Sequence, residues 1–484
     1  MLRRTKILAT LGPATDDPKV LDRVIEAGVD VVRINLSHGA PEEHMRRAEA
    51  VRNRARAYGR EVGVLVDLQG PKIRIDRFRD GPVLLEEGAR FVLDAELGTH
   101  EGTVESVGLT YKDLTRDVKR GDTLVLDDGR IVLWVEAVEG SRIICQVEVG
   151  GELSDNKGIN RQGGGLSAGA LTEKDRRDMK VAAALRADYV ALSFVRHAAD
   201  VNEGRELLRA AGGTGGIVAK IERAEAVQVI EEILEASDAI MVARGDLGVE
   251  IGDAELPGVQ KRLISMARSR DRVVITATQM MESMIENPIP TRAEVLDVAN
   301  AVLDGTDAVM LSAETAVGKY PHKAVAAMDR VCRGAERQRA SRVSTHRIDE
   351  QFKRVDEAIA MAGMYTANHL GVKAIVALTE SGATPLWMSR ISSGIPIYAF
   401  SRNESTRGKV TLYRGVYPVP FDVTHTDHAR VNKEVVDELL RRGTVRNGDL
   451  VIITKGDLAG VLGGTNAMKV VKVGQLVEPG MASD

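Results

Sequence analysis

The sequence predicts an α/β protein: a (β/α)8 TIM barrel with an inserted small β-barrel lid domain and a C-terminal open α/β domain. Three observations lead to this prediction. Strand-like and helix-like segments alternate over residues 1–68 and again after residue 170, as they do around a parallel sheet. The two stretches contain three and five strand segments, and eight such units close a barrel. Between them, short alternating runs separated by turns predict a small antiparallel β domain.

The first part of the barrel, residues 1–68, reads strand, helix, strand, helix, strand. The runs TKILATLG, VDVVRINLS and EVGVLVDL are rich in apolar and β-branched residues, which is typical of buried strands. The intervening segments have the apolar periodicity of amphipathic helices. They end at Gly28 and Gly59, and glycine commonly closes a helix.

The inserted domain is predicted over residues 69–165. Its strands would be FVLDAEL, DTLVLDD, RIVLWVEAV and RIICQVEV, and the Asp-Gly and Glu-Gly pairs between such runs are typical of tight turns. Glycine-rich joints flank the insertion, at Gly70–Pro71 and at residues 163–165. We expect these joints to act as hinges.

The barrel resumes over residues 166–342 with the strand segments DYVALSFV, GIVAKIE, DAIMVARGD, RVVITATQ and DAVMLSAET. The polar, Arg- and Ser-rich segment GAERQRASRVSTHR is predicted to be a linker. A separate open α/β domain is predicted over residues 346–484, with the strands KAIVALT, PIYAFS, VYPVPF, DLVIITKG and AMKVVKVG.

The composition argues against several classes of protein. The chain has 66 basic and 70 acidic residues, whereas a nucleic-acid-binding protein normally carries a basic face. Its two cysteines, Cys145 and Cys332, show no disulfide or zinc pattern and so predict a reducing compartment. No apolar run approaches the roughly 18 residues of a membrane helix, and the apolar stretch near the start is too short for a signal peptide. We therefore expect a cytoplasmic protein that binds neither nucleic acid nor membrane.

Polar residues follow the barrel strands at their carboxyl ends, where barrels carry their active sites. The strands themselves are apolar, and a purely structural barrel would not need this pattern. The residues, strand by strand, are Arg33, Asn35, Ser37 and His38 after the second, Asp67 after the third, Lys220 and Glu222 after the fifth, Arg244, Gly245 and Asp246 after the sixth, Thr278 and Gln279 after the seventh, and Ser312 and Glu314 after the eighth.

Glu222 and Asp246 suggest a metal site, because they follow adjacent strands. Carboxylate oxygens without histidine or cysteine suit Mg²⁺ or Mn²⁺ rather than zinc. Positive side chains beside two carboxylates at one barrel mouth are also typical of a phosphoryl-transfer site. The residues alone leave open a simpler alternative, in which Lys220 and Arg244 only neutralise the two carboxylates. The segments RINLSHG and ARGDLG are likewise either ligand-binding loops or ordinary turns.

Ten segments together resemble the pyruvate kinase family along nearly the whole chain. They are ATLGPAT, RINLSHG, DLQGPKIR, KGIN, TEKD, KIE, VARGDLGVE, ATQMMESM, PTRAEVLDVANAVLDGTDAVMLSAETAVGKYP and TESGAT. The resemblance implies a glycolytic enzyme, a cytoplasmic homotetramer that needs Mg²⁺ (or Mn²⁺). It would transfer the phosphoryl group of phosphoenolpyruvate to ADP, giving pyruvate and ATP.

The resemblance also implies roles for the matching residues. Arg33 would bind the transferring phosphate, Lys220 would stabilise its charge, and Glu222 and Asp246 would hold the Mg²⁺. The backbone of Ala243, Arg244 and Gly245, with the Thr278 hydroxyl, would hold the substrate carboxylate. Arg74 and Lys157 would reach the nucleotide phosphates, with help from Asn35 to His38. The resemblance does not identify the proton donor to the enolate, for which Thr278 and Ser312, acting through water, are the candidates. Lys157 lies in the inserted domain, so closure of this lid would complete the site.

The sequence departs from the family at the monovalent-cation region. Family members commonly bind K⁺ with side chains that match Asn35, Ser37 and Asp67 and with a backbone carbonyl that matches Leu68. Lys72 stands where K⁺-dependent relatives carry glutamate, and its ammonium group would supply the charge of the missing ion. We therefore expect activity without K⁺; the alternative is that Lys72 points into solvent.

A second departure lies near the predicted hinge, where Arg161 and Gln162 replace the proline and glycine that are usual in the family.

The C-terminal domain carries a candidate effector site. In LTESGATP a strand is followed by a turn of small residues and a helix start, and such helix starts bind phosphate readily. The matching loop of the family binds phosphorylated effectors, which implies a cradle formed by Thr379, Glu380, Ser381, Gly382, Ala383 and Thr384. Ala383 replaces the arginine of the branch activated by fructose bisphosphate. The resemblance therefore favours activation by AMP or a sugar monophosphate such as ribose 5-phosphate or glucose 6-phosphate, and the alternative is a plain strand–helix turn.

Two other functions are compatible with parts of this pattern. A lyase or aldolase acting on phosphoenolpyruvate or pyruvate would also hold Mg²⁺ on glutamate and aspartate, but it would not need Arg74 or Lys157. A catalytically inactive metabolite sensor would not need Arg33, Lys220 and Thr278. ADP-dependent formation of pyruvate separates the three functions.

Overall fold

The computed structural model describes residues 2–338, 351–422, 430–457 and 463–475. Its first part alternates strands and helices as predicted. The elements are β1 (Lys6–Thr10), α1 (Pro18–Glu26), β2 (Val31–Asn35), α2 (Pro41–Ala57) and β3 (Gly63–Asp67).

The inserted domain begins after β3. Its elements are β4 (Val83–Leu85), β5 (Arg90–Asp94), β6 (Ser106–Gly108), α3 (Leu114–Asp117), β7 (Thr123–Leu126), β8 (Ile131–Glu139), β9 (Arg142–Val149), β10 (Gly151–Leu153) and β11 (Ile159–Arg161). The strands form a six-stranded sheet in the order β11-β7-β8-β9-β5-β6 and a separate pair, β10-β4. We refer to this domain as the lid.

The lid is a β domain, as predicted, and two details differ from the expectation. Its described strands form two separate ladders rather than one closed ring. In addition, β5 and β6 pair in parallel, because the segment 95–105 crosses over between them instead of turning back as a hairpin.

The second part of the barrel follows. Its elements are α4 (Glu173–Ala184), β12 (Tyr189–Leu192), α5 (Ala198–Ala210), β13 (Gly216–Ile221), α6 (Ala224–Gln228), α7 (Ile230–Ala236), β14 (Ala239–Ala243), α8 (Arg244–Ile251), α9 (Leu256–Ser269), β15 (Val273–Ala277), α10 (Arg292–Asp304), β16 (Ala308–Leu311), α11 (Ala313–Ala316) and α12 (Pro321–Glu336).

Eight parallel strands close the barrel, in the order β1-β16-β15-β14-β13-β12-β3-β2. This confirms the barrel that the sequence predicts. All eight strands are apolar and nearly fully buried, because helices cover the outer face and side chains fill the interior. Their carboxyl ends therefore meet at one mouth.

The helices that surround the barrel begin at side chains suited to the first turn. Thr172 and Asp175 form a capping box at the start of α4, and Thr291 and Glu294 form another at α10. At α1 the Asp17 carboxylate accepts the Lys19 N–H at 2.8 Å.

The C-terminal domain is an open α/β sheet, as predicted. Its elements are α13 (Val355–Leu370), β17 (Ala374–Leu378), α14 (Ala383–Arg390), β18 (Ile397–Ser401), α15 (Glu404–Val410), β19 (Val416–Pro420), α16 (Val431–Arg441), β20 (Leu450–Gly456) and β21 (Thr465–Lys472). The strand order is β19-β18-β17-β20-β21, and only β21 pairs antiparallel to its neighbour. The predicted linker continues α12 up to Glu336; from residue 339 to residue 347 it lies outside the described residues, as does the predicted boundary at 342–346.

The core of the barrel continues into the C-terminal domain. Successive strand residues face opposite sides, so Ile7 and Ala9 pack outward against the helices while Leu8 faces the barrel interior. The interior cluster that contains Leu8 and Val31 also contains Ile375 of the C-terminal domain. The C-terminal domain therefore covers the end of the barrel interior that lies opposite to the mouth.

Polar contacts reinforce the same junction. The guanidinium group of Arg390 on α14 pairs with the carboxylate of Asp307, just before β16, and both side chains are 1% exposed. Lys409 on α15 pairs with Asp238 at 3.6 Å and accepts the Tyr189 hydroxyl on its backbone carbonyl at 2.8 Å. The C-terminal domain thus binds the end of the barrel opposite to the mouth.

No described helix combines the length and the apolar composition that a membrane crossing requires. Cys145 and Cys332 are free and buried.

Candidate active site

A buried cluster of charges lies at the carboxyl ends of β2, β3 and β13. The Asp67 carboxylate accepts the Arg33 Nε–H at 2.7 Å and lies 3.4 Å from the Lys220 Nζ. Asp67 is 1% exposed. Its burial favours the neutral acid, but the charges of Lys220 and Arg33 outweigh burial and hold the pKa of Asp67 below its ordinary value. The sequence placed these three residues at strand ends, and the fold brings them together.

Glu222 extends this cluster. Its Oε1 lies 2.9 Å from the Lys220 Nζ, and its Oε2 accepts the Phe194 N–H at 2.6 Å. Phe194 is in the left-handed region, with φ of 56°, and this conformation aims its N–H at the carboxylate. Burial raises the pKa of Glu222, with Lys220 opposing it and Asp246 adding to it. Burial would lower the pKa of Lys220, but Asp67 and Glu222 raise it, so Lys220 carries a proton at neutral pH.

Asp246 lies on the first turn of α8, which begins directly after β14. The segment ARGDLG is therefore a helix start rather than a simple turn. The Asp246 Oδ1 is 3.2 Å from the Nζ of Lys72, whose side chain is 26% exposed. Lys72 is thus directed at the second carboxylate of the site and not into solvent.

The donor set of Glu222 and Asp246 fits a hard divalent cation. Both groups offer carboxylate oxygens at the mouth, each near a lysine that balances its charge. In the part of the chain that the structure describes, no group of three His, Cys, Asp or Glu side chains is arranged to hold a metal ion. A metal here would therefore complete its coordination with substrate oxygens and water.

Arg244 does not fit the simpler alternative, in which it would only neutralise the two carboxylates. Its guanidinium group turns away from the carboxylates and donates to the backbone carbonyls of Ala277, Thr278 and Gln279, and to Asp297 at 2.7 Å. The interpretation that Arg244 neutralises the carboxylates is therefore wrong. The reason is that the chain after β15 turns its carbonyls toward α8, and the buried arginine satisfies them.

These carbonyls belong to a strained turn. Thr278 has φ of 67° and Gln279 has φ of 53°, which is rare for a β-branched residue such as threonine. The Thr278 hydroxyl accepts the Gly245 N–H at 2.8 Å and donates to the Ala277 carbonyl at 2.6 Å. The turn thereby places the Thr278 side chain against the start of α8, where the sequence predicted a shared binding role.

Glu314 supports the neighbouring backbone. This buried carboxylate accepts the Met281 N–H at 3.2 Å and the Ser312 N–H at 2.6 Å. It joins the ends of β15 and β16 beneath the mouth, and burial raises its pKa. The predicted candidate Ser312 is half-buried at this position.

Arg74 and Lys157 come together at the edge of the lid. An isolated bridge pairs Arg74 with Gly158, and Arg74 donates to the Asn156 carbonyl at 2.8 Å. The Lys157 Nζ is 2.7 Å from the Asp127 carboxylate. The turn at 127–129 and β11 both pack on α8, so the lid edge faces the helix that carries Asp246.

The monovalent-cation region is assembled from neighbouring strands. Asn35 and Asp67 are register partners on β2 and β3. The Asn35 Oδ1 accepts the Ser37 N–H at 3.1 Å, and the Leu68 carbonyl accepts the Ser193 hydroxyl at 2.7 Å. His38 is exposed in the same loop.

Sequence reasoning missed two residues of the cluster. Ser193 accepts a hydrogen bond from the Lys220 ammonium group at 2.6 Å, and Thr10 accepts one from Arg33 at 3.1 Å. Both residues lie at strand ends, Thr10 on β1 and Ser193 after β12. Reading the ends of the first and fourth strands, which the sequence pattern also marks, would have found them.

The predicted effector loop lies between β17 and α14. The hydroxyls of Thr379 and Ser381 accept the N–H groups of Gly382 (2.9 Å) and Ala383 (3.4 Å), and Thr384 bonds Thr465 at 3.0 Å. The Glu380 carboxylate is bonded to Asn403 at 2.7 Å.

Ser381 also lines a cleft of about 560 Å³ between the barrel and the C-terminal domain. Arg52 and Arg56 of α2, together with Arg186 and Lys409, give this cleft much of its positive charge. The sequence analysis did not single out these residues, because they lie far apart along the chain.

Comparisons with known proteins agree with this architecture. Residues 2–325 match the family model described as pyruvate kinase, barrel domain, and residues 357–471 match the model for its alpha/beta domain. Pyruvate kinase II of Salmonella typhimurium is 58% identical over 98% of this chain and 99% of its own length. The pyruvate kinases of Haemophilus influenzae and Mycobacterium tuberculosis are 56% identical (94% of this chain, 96% of the relative) and 44% identical (98% and 99%).

Proposed function

The chain belongs to the pyruvate kinase family, and on that premise we propose how its residues transfer the phosphoryl group of phosphoenolpyruvate to ADP. The enzyme is a pyruvate kinase, so the lyase and sensor alternatives are set aside. The reaction forms pyruvate and ATP at the end of glycolysis. The free, buried cysteines are consistent with a cytoplasmic location.

Arg33 and Lys220 bind the phosphoryl group. Transfer between two anions needs positive charge that is in place before the reaction starts. Asp67 fixes both cations, at 2.7 Å and 3.4 Å, and keeps them oriented in a largely buried position. This buried arrangement is the single observation that carries the proposal.

Glu222 and Asp246 would hold Mg²⁺ or Mn²⁺. When bound, such an ion would supply positive charge that stabilises the negative charge of the substrate. The protein side of this site is prepared by Phe194, whose N–H orients Glu222, and by Lys72, which pairs with Asp246.

The substrate carboxylate binds at the start of α8, where the backbone of Ala243, Arg244 and Gly245 lies beside the Thr278 hydroxyl. The first N–H groups of a helix have no partner within the helix, so they suit an anion. The guanidinium group of Arg244 contributes indirectly, because it holds the turn that carries Thr278. Protonation of the enolate is assigned to Thr278 or Ser312, acting through water.

Arg74 and Lys157 bind the nucleotide phosphates, assisted by the loop from Asn35 to His38. Their position at the edge of the lid, facing α8, supports this assignment. Lys157 exchanges its partner Asp127 for phosphate when the nucleotide binds.

Lys72 makes the enzyme independent of K⁺. Its ammonium group lies 3.2 Å from Asp246 and supplies one fixed positive charge at the mouth, in place of the charge that K⁺ supplies in K⁺-dependent relatives. The Asn35 and Leu68 oxygens that match the K⁺ ligands of the family are engaged by Ser37 and Ser193.

A sugar monophosphate or AMP activates the enzyme at the loop 379–384. The cleft beside Ser381, with arginines contributed by the barrel, offers the positive charge that such a ligand needs. The enzyme forms a homotetramer, and the exposed apolar side chains of Ile289 (69% exposed), Leu296 (64%) and Tyr365 (58%) are candidates for the subunit contacts.

The test is the initial rate of pyruvate formation from phosphoenolpyruvate, ADP and Mg²⁺, measured with and without K⁺ for the wild type and for Lys220→Met. We expect equal wild-type rates in both buffers and no phosphoryl transfer by the variant. Lys261→Met is the matched control, since Lys261 is exposed on α9, where it pairs with Asp304. A Lys220→Met variant with near-normal turnover would refute the assignment of Lys220.

A further inference from the structure

The lid is joined to the barrel by two crossings of the chain, and a barrel carboxylate binds the backbone at each of them. At the first crossing, Gly70 has φ of 66°, and a Cβ there would come within 2.6 Å of Ser193. Its N–H donates to the Asp175 Oδ1 at 3.1 Å. Asp175 is fully buried at the start of α4, and its other oxygen accepts the N–H of Thr172 at 2.8 Å.

At the second crossing, residues 163–165 are three glycines with φ of 83°, 78° and 90°. The Gly165 N–H donates to the Glu225 carboxylate of α6. A Cβ on Gly164 would come within 2.5 Å of the same carboxylate, so the chain passes directly over it. The Gly163 N–H donates to the Glu250 carbonyl at the end of α8, at 2.8 Å.

Asp175 and Glu225 therefore share three properties. Each belongs to a helix of the barrel, each accepts a backbone N–H from a glycine at a lid crossing, and neither belongs to the set that would touch the substrates. We propose that Asp175 and Glu225 are positioning residues that hold the two lid hinges on the barrel and thereby set where the nucleotide-binding edge of the lid comes to lie.

A charged acceptor makes a backbone hydrogen bond about twice as strong as a neutral one, so these carboxylates fix pivot points in otherwise permissive glycine segments. Arg74 lies four residues after Gly70, and Lys157 lies six residues before Gly163. A small displacement at a pivot therefore moves both cations relative to Asp246, and misplacement by about 1 Å can cost about a hundredfold in rate. The barrel side chains that bind phosphoenolpyruvate are not moved.

The inference rests on the proposed assignment of Arg74 and Lys157 to the nucleotide. It predicts a selective defect, which full-length Glu225→Ala and Asp175→Ala would reveal. We expect the KM for ADP to rise about tenfold in each variant, as for the loss of one charge-assisted hydrogen bond, and kcat to fall with it. The KM for phosphoenolpyruvate should stay within about twofold, because Arg33 and Lys220 keep their contacts. Glu225→Gln and Asp175→Asn retain an acceptor oxygen and should recover most of the loss.

Two controls separate hinge positioning from stability. Thr172→Val removes the cap of α4 but leaves the contact between Asp175 and Gly70, and Glu232→Ala removes an exposed glutamate of the adjacent α7. Amide hydrogen exchange, measured on peptides that contain Gly70 or Gly165, reports the hinges directly. Exchange should increase in the hinge variants and not in the controls.

Two outcomes would overturn the inference. The first is an unchanged KM for ADP in Glu225→Ala together with unchanged exchange at Gly165. The second is an equal rise of this KM in Thr172→Val and Asp175→Ala. Lys157→Met tests the underlying assignment separately. If it raises the KM for ADP while the hinge variants do not, only the inference fails; if it leaves this KM unchanged, the nucleotide assignment fails as well.

Discussion

Replacing Lys72 by methionine should convert the enzyme from K⁺-independent to K⁺-stimulated. Methionine keeps most of the length of the side chain but removes the charge that lies 3.2 Å from the Asp246 carboxylate. A free monovalent cation in the same region can then supply the missing charge. Lys72→Glu goes further, because it adds a second negative charge and should make activity depend almost entirely on K⁺.

The magnitude follows from the distance and the exposure of the pair. Two unit charges 3.2 Å apart attract by about 5 kcal/mol at an effective dielectric constant of about 20. The two side chains are 26% and 19% exposed, so solvent screens part of this attraction, and we take about 1–2 kcal/mol as the usable contribution. This corresponds to a loss of about five- to thirtyfold in kcat/KM for Lys72→Met without K⁺.

The assay is kcat/KM for phosphoenolpyruvate at constant ionic strength, with tetramethylammonium replaced stepwise by K⁺. The wild type should give a flat line, and Lys72→Met should rise toward it. Lys112→Met is the matched control, since Lys112 is a half-exposed lysine of the lid that lies 3.9 Å from Asp76. A wild-type enzyme that needs K⁺, or a Lys72→Met variant that does not respond to it, would refute the reasoning.

Three further results are expected. Lys220→Met should lose phosphoryl transfer by at least about a hundredfold yet still exchange the methyl protons of pyruvate with solvent; loss of both activities would contradict the assignment. Arg244→Gln should lower kcat about tenfold or more and leave the KM for ADP unchanged, because the Thr278 turn relaxes while the lid keeps its contacts; an unchanged kcat would contradict this. Burial raises the pKa of Glu250 from 4.5 to about 7, so the folded protein binds the extra proton and loses stability as pH rises through this interval. Glu250→Gln should therefore be more stable than the wild type at pH 8, by up to about 3 kcal/mol in urea unfolding, and nearly equal near pH 4.5; a constant difference would contradict the role of titration.

The eight barrel strands and the three central strands of the last domain (β17, β18 and β20) could be predicted because each is a short apolar run that is largely buried, whereas the edge strands β19 and β21 are partly exposed. The parallel pairing of β5 and β6 could not, because β6 is only three residues long (Ser106–Gly108) and the path of the loop 95–105 decides its direction.

In the site, the positions of Arg33, Lys220, Glu222 and Asp246 followed from the rule that strand ends share one mouth. The rule does not predict in which direction each side chain points. Arg244 lies near the carboxylates of Glu222 and Asp246 in the sequence pattern, but its guanidinium group binds the carbonyls of residues 277–279 because the left-handed conformation of Thr278 exposes them. The hinge carboxylates Asp175 and Glu225 resemble ordinary helix residues in sequence. Their hydrogen bonds to Gly70 and Gly165 become visible only in the structure, where the lid crossings pass next to α4 and α6.

The shared core beneath the barrel has a consequence for modularity. Leu8 and Val31 inside the barrel belong to the same apolar cluster as Ile375, so the catalytic barrel lacks a hydrophobic floor of its own. A truncated chain that ends before residue 351 would lack the C-terminal domain, so this cluster would be exposed to water. The buried carboxylate of Asp307 would also lose its partner Arg390. The last domain therefore closes this end of the barrel, and a chimera that exchanges it must carry over the apolar residues that face the barrel together with Arg390.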